Sequence, residues 1–297
     1  MNVGGGLGLS CIVVHFQSPG TLPATLTALD AAHVPGASTV VVDNSLSDSD
    51  SEAARATAQS AGCLFIRVDN RGYAAAANSG LQFLEARGLR TELVLLSTHE
   101  SLPEPDAVER LIAAFESDPA IAVAGPLLFN SGPVGREVWS AGGRLSRVLK
   151  RPRHYTEELD GQSAPVDRAW LDGAFTLYET AVLERQRLDE SYFLYFEETD
   201  LHVRLARLGR RVVVVPGAHA SQSSNGIPPQ GGQSLAAKAK KQKAGNYTAT
   251  AEHFRCDRTT SAHVCQACSS RGTKEAESGE NKPVREDHPL GKPRRQY

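Results

Sequence analysis

The sequence predicts an α/β protein with a mostly parallel sheet flanked by helices. Two patterns lead there. Short apolar, β-branched runs alternate with segments of helical period between residues 9 and 124, joined by short connections. Several of those runs end in adjacent polar residues: Asp43-Asn44, Asp69-Asn70 and Thr98-His99-Glu100. Ligands of open α/β sheets bind at the carboxyl ends of the strands, so these polar ends mark a candidate cleft.

Residues 9–16 (LSCIVVHF) are apolar enough for a strand covered on both faces. After the Ser18-Pro19-Gly20 turn, residues 21–32 have helical period, with Leu22, Leu26 and Leu29 on one side. Residues 39–42 give a second strand, 51–61 a helix and 63–68 a third strand. An alanine-rich helix over 73–86 is entered through Arg71-Gly72. Residues 93–96 read as a fourth strand, 106–115 as a helix and 120–124 as a fifth strand. The second half is less regular. Residues 139–143 (WSAGG) and 170–175 (WLDGAF) read as strand or turn pieces, and 179–186 as a short helix. Residues 199–208 form a helix with Leu201, Val203, Leu205 and Leu208 available for packing. Residues 211–215 close the pattern as a strand stopped by Pro216-Gly217. Beyond about residue 222 Gln, Ser, Gly, Lys and Thr dominate, with too little apolar surface to offset chain entropy. The expected organisation is one domain over 1–225 and a disordered low-complexity tail over 226–297.

Composition removes several classes of function. Hydrophobic residues make up 40% of the chain, enough for a core. No run reaches the ~18 apolar residues that suggest a membrane span. Five cysteines at irregular spacing suit a reducing compartment better than a disulfide framework. No secretory signal is expected, because no basic stretch precedes an apolar one at the N-terminus. Residues 1–220 carry 19 Lys+Arg against 27 Asp+Glu, and an acidic body does not suit a nucleic-acid binder. A cytoplasmic location follows, with peripheral attachment to the inner face of the membrane left open. The lysines between Lys238 and Lys243 are either a lipid-facing patch or simply solvated.

Chemistry concentrates in residues 188–201, LDESYFLYFEETDL. Five carboxylates, Asp189, Glu190, Glu197, Glu198 and Asp200, are interleaved there with Tyr192, Phe193, Tyr195 and Phe196. Ionised groups buried beside rings are costly unless paired, metal-bound or shifted in pKa, and a general base supplies a reason for the cost. Glu197 and Glu198 precede a helix, so the dipole also favours them. Asp200 could continue that capping role, and Asp189-Glu190 could support a loop or line an acceptor pocket. Asp43 can accept hydrogen bonds from a nucleobase imide or ribose hydroxyl, or can cap a turn. Asn70 and Gly72 repeat the arrangement one strand later, ahead of a helix N-terminus favourable for phosphate. Glu100 and His99 could ligate a hard divalent cation holding a diphosphate. In the tail, His253, Cys256, Cys265 and Cys268 have zinc-ligand types at near-zinc spacing.

The series VVDN (41–44), NRGYAAAANSG (70–80), LLSTHE (95–100), WSAGG (139–143), LDGAF (171–175), LDESYFLYFEETDLHVRL (188–205) and VVVVPGA (212–218) resembles family 2 glycosyltransferases, most closely a bacterial rhamnosyltransferase-like branch. The resemblance covers roughly residues 8–225. It implies the GT-A fold of nucleotide-diphospho-sugar transferases, which is Rossmann-like. It also implies inverting transfer of a sugar from a nucleoside diphosphate to an acceptor hydroxyl, usually with Mg²⁺ or Mn²⁺. The donor would be dTDP-, UDP- or GDP-linked, with rhamnose favoured. The acceptor would be a polysaccharide, a lipid-linked glycan or a natural product. Matched residue by residue, Asp43 with Asn44 contacts the nucleoside, and Asn70, Gly72 and Asn78 lie near the donor. Glu100 takes the metal-binding position, with His99 beside it. Gly173 and Ala174 flank donor and acceptor. Glu198 takes the catalytic-base position, with Glu197 before it.

Three positions depart from the family pattern. The metal motif reads Thr-His-Glu, and the base motif reads Glu-Glu-Thr-Asp in place of Glu-Asp-x-Asp. Where relatives place a histidine after the last strand this chain has Gln222, with His219 a distant substitute. A sugar-nucleotide-binding protein with weak or lost catalysis is therefore the alternative. A sugar-nucleotide pyrophosphorylase is disfavoured, because no glycine-rich basic signature follows the first strand.

Overall fold

The computed structural model describes residues 7–222 apart from 133–134, 149 and 160. In chain order the elements are β1 (Leu9–His15), α1 (Leu22–Ala31), β2 (Thr39–Asp43), α2 (Asp48–Ser60), β3 (Leu64–Arg67), α3 (Tyr73–Ala86), β4 (Leu93–Thr98), β5 (Ser101–Pro103) and α4 (Ala107–Ser117). There follow β6 (Ile121–Gly132), β7 (Gly135–Ser140), β8 (Gly143–Leu145), β9 (Pro152–His154), β10 (Val166–Asp167), β11 (Phe175–Glu179), α5 (Thr180–Gln186), α6 (Glu197–Arg207) and β12 (Arg211–Gln222).

The main sheet runs β10-β12-β6-β11-β4-β1-β2-β3. Strands β3, β2, β1 and β4 are mutually parallel, as are β6 and β12. Between these groups lies β11, antiparallel to both β4 and β6. The reason is the connection. A parallel return needs a crossover of a dozen or more residues, usually a helix, and the described residues between β6 and β11 form only strands and loops. The segment at 170–175, expected as strand or turn pieces, thus leads directly into an antiparallel strand.

Apolar residues of β1 divide between the two faces. Cys11 and Val13 pack with Leu22, Leu26 and Leu29 of α1, Ala54 and Ala58 of α2, and Leu111 and Phe115 of α4. Ile12 and Val14 pack with Ala74, Ala77, Leu81 and Leu84 of α3, Val182 and Leu183 of α5, and Leu201 and Leu205 of α6. This two-sided burial is why the strand sequence is continuously apolar rather than alternating. The small residues of α3 let it lie close to the sheet. A Cβ on Gly80 would stand 2.6 Å from Ile12 and 2.9 Å from Val42, so a glycine inside the helix is compensated by close packing.

Several boundaries differ from expectation, among them β6, which runs to Gly132 rather than stopping near residue 124. Helix α2 starts at Asp48, because the Ser47 hydroxyl accepts from the Asp50 N–H at 3.3 Å and caps it. Glu197 and Glu198 lie inside α6 as its first residues rather than ahead of it. Pro216 does not end the last strand. β12 passes through a register shift between Val215 and His219 and continues beside β6 to Gln222. An irregular step is where a strand tolerates proline. The tail expected over 226–297, its lysine run and the zinc-like set His253, Cys256, Cys265 and Cys268 lie outside the described residues.

Candidate active site

Parallel register brings the polar strand ends together. His15 pairs with Asp43 across β1 and β2, and Val14 with Thr98 across β1 and β4. Because β11 runs the other way, its entry, Gly173-Ala174, reaches the same edge. The Ala174 carbonyl accepts from Thr98 N–H at 2.9 Å and Ser101 Oγ at 2.6 Å.

Asp43 is fully buried. Its Oδ1 lies 2.8 Å from His15 Nδ1 and accepts from Ser45 Oγ at 2.6 Å and Ser45 N–H at 3.2 Å. Burial opposes ionisation, but hydrogen bonds from His15 and Ser45 outweigh it and bring the carboxyl down to about 2. Its Oδ2 has no partner, and neither has Asn44 Oδ1. Asn44 Nδ2 donates to Asn70 Oδ1 at 3.3 Å, which also accepts Gly72 N–H at 3.2 Å. This corner therefore holds buried acceptors awaiting donors, as a nucleoside with imide and hydroxyl groups would supply.

The N-terminus of α3 is occupied differently from expectation. Gly72 has φ 99°, and a Cβ there would stand 2.0 Å from the Phe193 carbonyl oxygen. That carbonyl accepts the Tyr73 N–H at 3.1 Å, so the acidic-aromatic segment, not a phosphate, meets that donor. Asn78 is also committed within the protein. It donates to Leu188 O at 2.9 Å and Glu190 Oε1 at 3.1 Å, and accepts Leu188 N–H at 3.3 Å. Glu190 in turn pairs with Arg71 at 3.0 Å. These contacts clamp the start of 188–201 onto α3, so Asn78 and Glu190 secure the loop instead of facing a ligand. Exposed Asp189 closes a turn on Ser191 N–H at 2.9 Å. Buried Asp200 pairs with Arg204 at 2.8 Å, and Arg204 also donates to the carbonyls of Gln186 and Arg187. Asp200 thus ties α6 to the end of α5.

Before α6, Tyr195 and Phe196 both adopt left-handed backbone, φ 69° and 75°. Such conformations cost of order 1–3 kcal/mol each and concentrate at functional sites. The Phe196 side chain is buried while Tyr195 is 44% exposed. Glu197 is buried with Oε2 unpartnered, and Glu198 is half-buried. Burial raises both carboxyls above the ordinary range; Glu198 is raised further by the Glu197 charge and then by Asp172. The pair therefore holds protons more tightly than isolated glutamates, as a base near neutral pH requires.

Several residues of this site were not singled out in the sequence. Tyr73 donates to the Gly173 carbonyl at 2.8 Å, and a Cβ on Gly173 would lie 3.9 Å from Glu198 Cβ. Burial and then the charges of Glu197 and Glu198 raise the Tyr73 hydroxyl well above its usual value. His202, wholly buried, accepts Leu171 N–H on Nδ1 at 3.0 Å, so its Nε2 carries the proton and donates to Tyr178 at 3.0 Å. Burial and then Arg204 lower His202 to about 3, which keeps it neutral. His202 fixes the Leu171–Gly173 loop over α6. The sequence signal was a histidine four residues after Glu198, on the same face of the helix.

His99 Nδ1 and the Val14 carbonyl are 3.2 Å apart, a contact that leaves the lone pair on Nε2. That Nε2 has no hydrogen-bond partner and lies 3.6 Å from Glu100 Oε1. One imidazole and one carboxylate fit a cation completed by diphosphate oxygens. Among the described residues no three His, Cys, Asp or Glu side chains cluster as a self-sufficient metal site. His219 is no substitute ligand: Nδ1 meets Glu104 at 3.1 Å and Nε2 the Pro216 carbonyl at 3.1 Å.

A nucleotide-sugar transferase fold with its polar strand ends on one edge is the class this architecture defines. Three solved structures share it: GalNAc-T7 with UDP, GalNAc and Mn²⁺ (TM-score 0.59, 14% identity), the mannosyltransferase PcManGT of Pyrobaculum calidifontis with GDP-Man and Mn²⁺ (0.50, 18%), and S. aureus TarS (0.51, 17%). They cover 75%, 76% and 72% of this chain, which spans 45%, 59% and 36% of theirs. At such identities the likeness establishes the GT-A fold. No curated protein matches the chain in sequence. The model of glycosyltransferase-like family 2 matches residues 8–248, and the chain belongs to that family.

Proposed function

We propose that the protein is an inverting glycosyltransferase that moves a sugar from a nucleoside diphosphate to an acceptor hydroxyl. The observation that carries this reading is Glu198: half-buried, raised in pKa, and set against the Gly173 loop at the strand-end edge that also holds Asp43 and Glu100. Asp43 and Asn44 hold the nucleoside through their unpartnered oxygens, and Asn70 orders the same corner. Gly173 and Ala174 form the floor between donor and acceptor. Glu198 takes the proton of the acceptor hydroxyl as its oxygen bonds to the anomeric carbon. The bond from that carbon to the diphosphate breaks, and the nucleoside diphosphate leaves with the electron pair. One displacement inverts the centre. Glu197 and Glu198 titrate as a coupled pair that keeps a second buried charge out of the site, and Glu198 acts as the base when Glu197 holds the shared proton. Mg²⁺ or Mn²⁺, held by Glu100 and His99 Nε2, would neutralise the departing diphosphate. Family resemblance favours a dTDP-linked rhamnose and a cell-wall polysaccharide, lipid-linked glycan or natural product as acceptor, in the bacterial cytoplasm. No helix among the described residues is long and apolar enough to cross a membrane.

Thermal shifts with UDP-, dTDP- and GDP-sugars, with Mn²⁺ or EDTA, identify the donor base. Donor hydrolysis and transfer by wild type and Glu198→Gln then test the chemistry. Turnover in wild type and its loss in the variant, with nucleotide binding retained, is the expected result. Binding without turnover in either protein would replace the enzyme by a sugar-nucleotide-binding protein, the reading that the substituted Thr-His-Glu and Glu-Glu-Thr-Asp motifs favour.

A further inference from the structure

Outside the cleft, β8 and β9 form a two-stranded sheet of their own, bridged through Gly143 to Trp170, and the hairpin carries a concentration of cations. Residues 138–156 contain Arg144, Arg147, Lys150, Arg151 and Arg153 and no Asp or Glu, within a body whose residues 1–220 are acidic overall. Register places Arg144 directly opposite Arg153. Like charges facing each other across a strand pair destabilise it, so the arrangement is a cost in water that an anionic partner would relieve. Among the described residues Arg144, Lys150, Arg151 and Arg153 make no ion pair. At the tip Val148 is 75% exposed, more than any other large hydrophobic residue described.

The hairpin is nevertheless well anchored. Ser146 accepts Arg151 N–H on its hydroxyl at 2.8 Å and donates its own N–H to the Arg151 carbonyl at 2.8 Å. At the base, Ala141 and Gly142 exchange hydrogen bonds with Tyr155, and Gly143 does so with the backbone of Trp170 and Ala169. His154 packs against Trp139 and Trp170, with its Nδ1 3.2 Å from Ser140 Oγ and 3.5 Å from Asp172 Oδ2. Asp172 directly precedes Gly173, so this cationic arm is fixed to the acceptor side of the candidate site.

We propose that the β8–β9 hairpin docks the protein on an anionic phospholipid bilayer. The cations meet the headgroups and Val148 enters the interface between them. Each Lys or Arg close to such a surface strengthens partitioning about five-fold, an attraction that salt weakens. Docked in this way, the Gly173 loop faces the membrane, where a lipid-carried hydroxyl would approach it; this consequence, unlike the docking, rests on the sugar-transfer reading.

The test is co-sedimentation of the full chain with phosphatidylcholine vesicles, with and without phosphatidylglycerol, over a range of salt. Wild type should bind only the anionic vesicles. Lys150→Gln, Arg151→Gln and Arg153→Gln together should weaken binding about 100-fold. Val148→Ser should weaken it less, and replacing Lys238, Lys240, Lys241 and Lys243 by Gln should leave most of it. As a readout free of any variant, anionic vesicles should protect wild type from tryptic cleavage after Arg147 and Lys150. Equal binding to neutral vesicles, binding that survives the triple substitution, or unprotected cleavage would overturn the proposal. No sugar nucleotide enters these measurements, so their failure would leave the transferase reading standing, and an inactive protein would leave the docking standing.

Discussion

Replacing Gly72 by alanine tests how the acidic-aromatic segment is held on α3. Two penalties act at this position. The backbone at φ 99° and ψ 178° is open essentially to glycine alone, and a side chain there costs about 1–3 kcal/mol. The new Cβ would also stand 2.0 Å from the Phe193 carbonyl oxygen, and backbone cannot be displaced as cheaply as a side chain. Relief requires the Phe193 carbonyl to move, which breaks its bond from Tyr73 N–H, worth about 1 kcal/mol. The total is about 3–5 kcal/mol, or a fall in Tm of roughly 6–20 °C for a domain of this size. Gly88→Ala separates the two penalties. Gly88 also has positive φ, 69°, but nothing lies within 4 Å of its Cβ position. It should lose only the backbone share, about 1–2 kcal/mol. Thermal unfolding of the three proteins in one buffer is the assay. Equal losses at Gly72 and Gly88, or no loss at Gly72, would refute the view that Phe193 packs onto the entrance of α3.

Three further outcomes are expected. Asp43, held at about 2 rather than its ordinary 3.8, contributes about 2 kcal/mol that is present above pH 4 and lost as pH falls towards 2; urea unfolding across that window should show this slope in wild type and lose it in Asp43→Asn. Glu197 has its pKa raised by burial, so its contribution has the opposite sign: it is present at acid pH and lost as pH climbs past the ordinary carboxylate range. Glu197→Gln should therefore raise Tm relative to wild type more in alkaline than in acid buffer, and an equal effect in both would contradict the buried-proton account. His202→Leu strands a buried Leu171 N–H and removes the partner of Tyr178, which should cost about 2–4 kcal/mol in urea unfolding, with His202→Gln milder; a loss under about 0.5 kcal/mol would mean that the loop does not depend on it.

The sequence by itself determined the first half of the fold and the family. Runs such as LSCIVVHF and the alanine-rich helix at 73–86 are covered on faces that any α/β packing would cover, so local period and final structure agree. Seven motifs in order were enough to identify the family and to single out Asp43, Glu100 and Glu198 as candidates. Tertiary structure decided what each polar side chain faces. Asn78, Glu190 and Asp200 have the residue types of ligand contacts, yet their hydrogen bonds are consumed in fastening the 188–201 segment and α6. A sequence lists donors and acceptors but not their partners, and those partners lie up to 112 residues away along the chain. The same holds for β11, antiparallel because the described path before it has no crossover helix, and for the bend at Pro216, which only a neighbouring β6 could carry onward. His202 and Tyr73 join the site for that reason too: their roles exist only once the sheet has brought α3, the Gly173 loop and α6 to one edge.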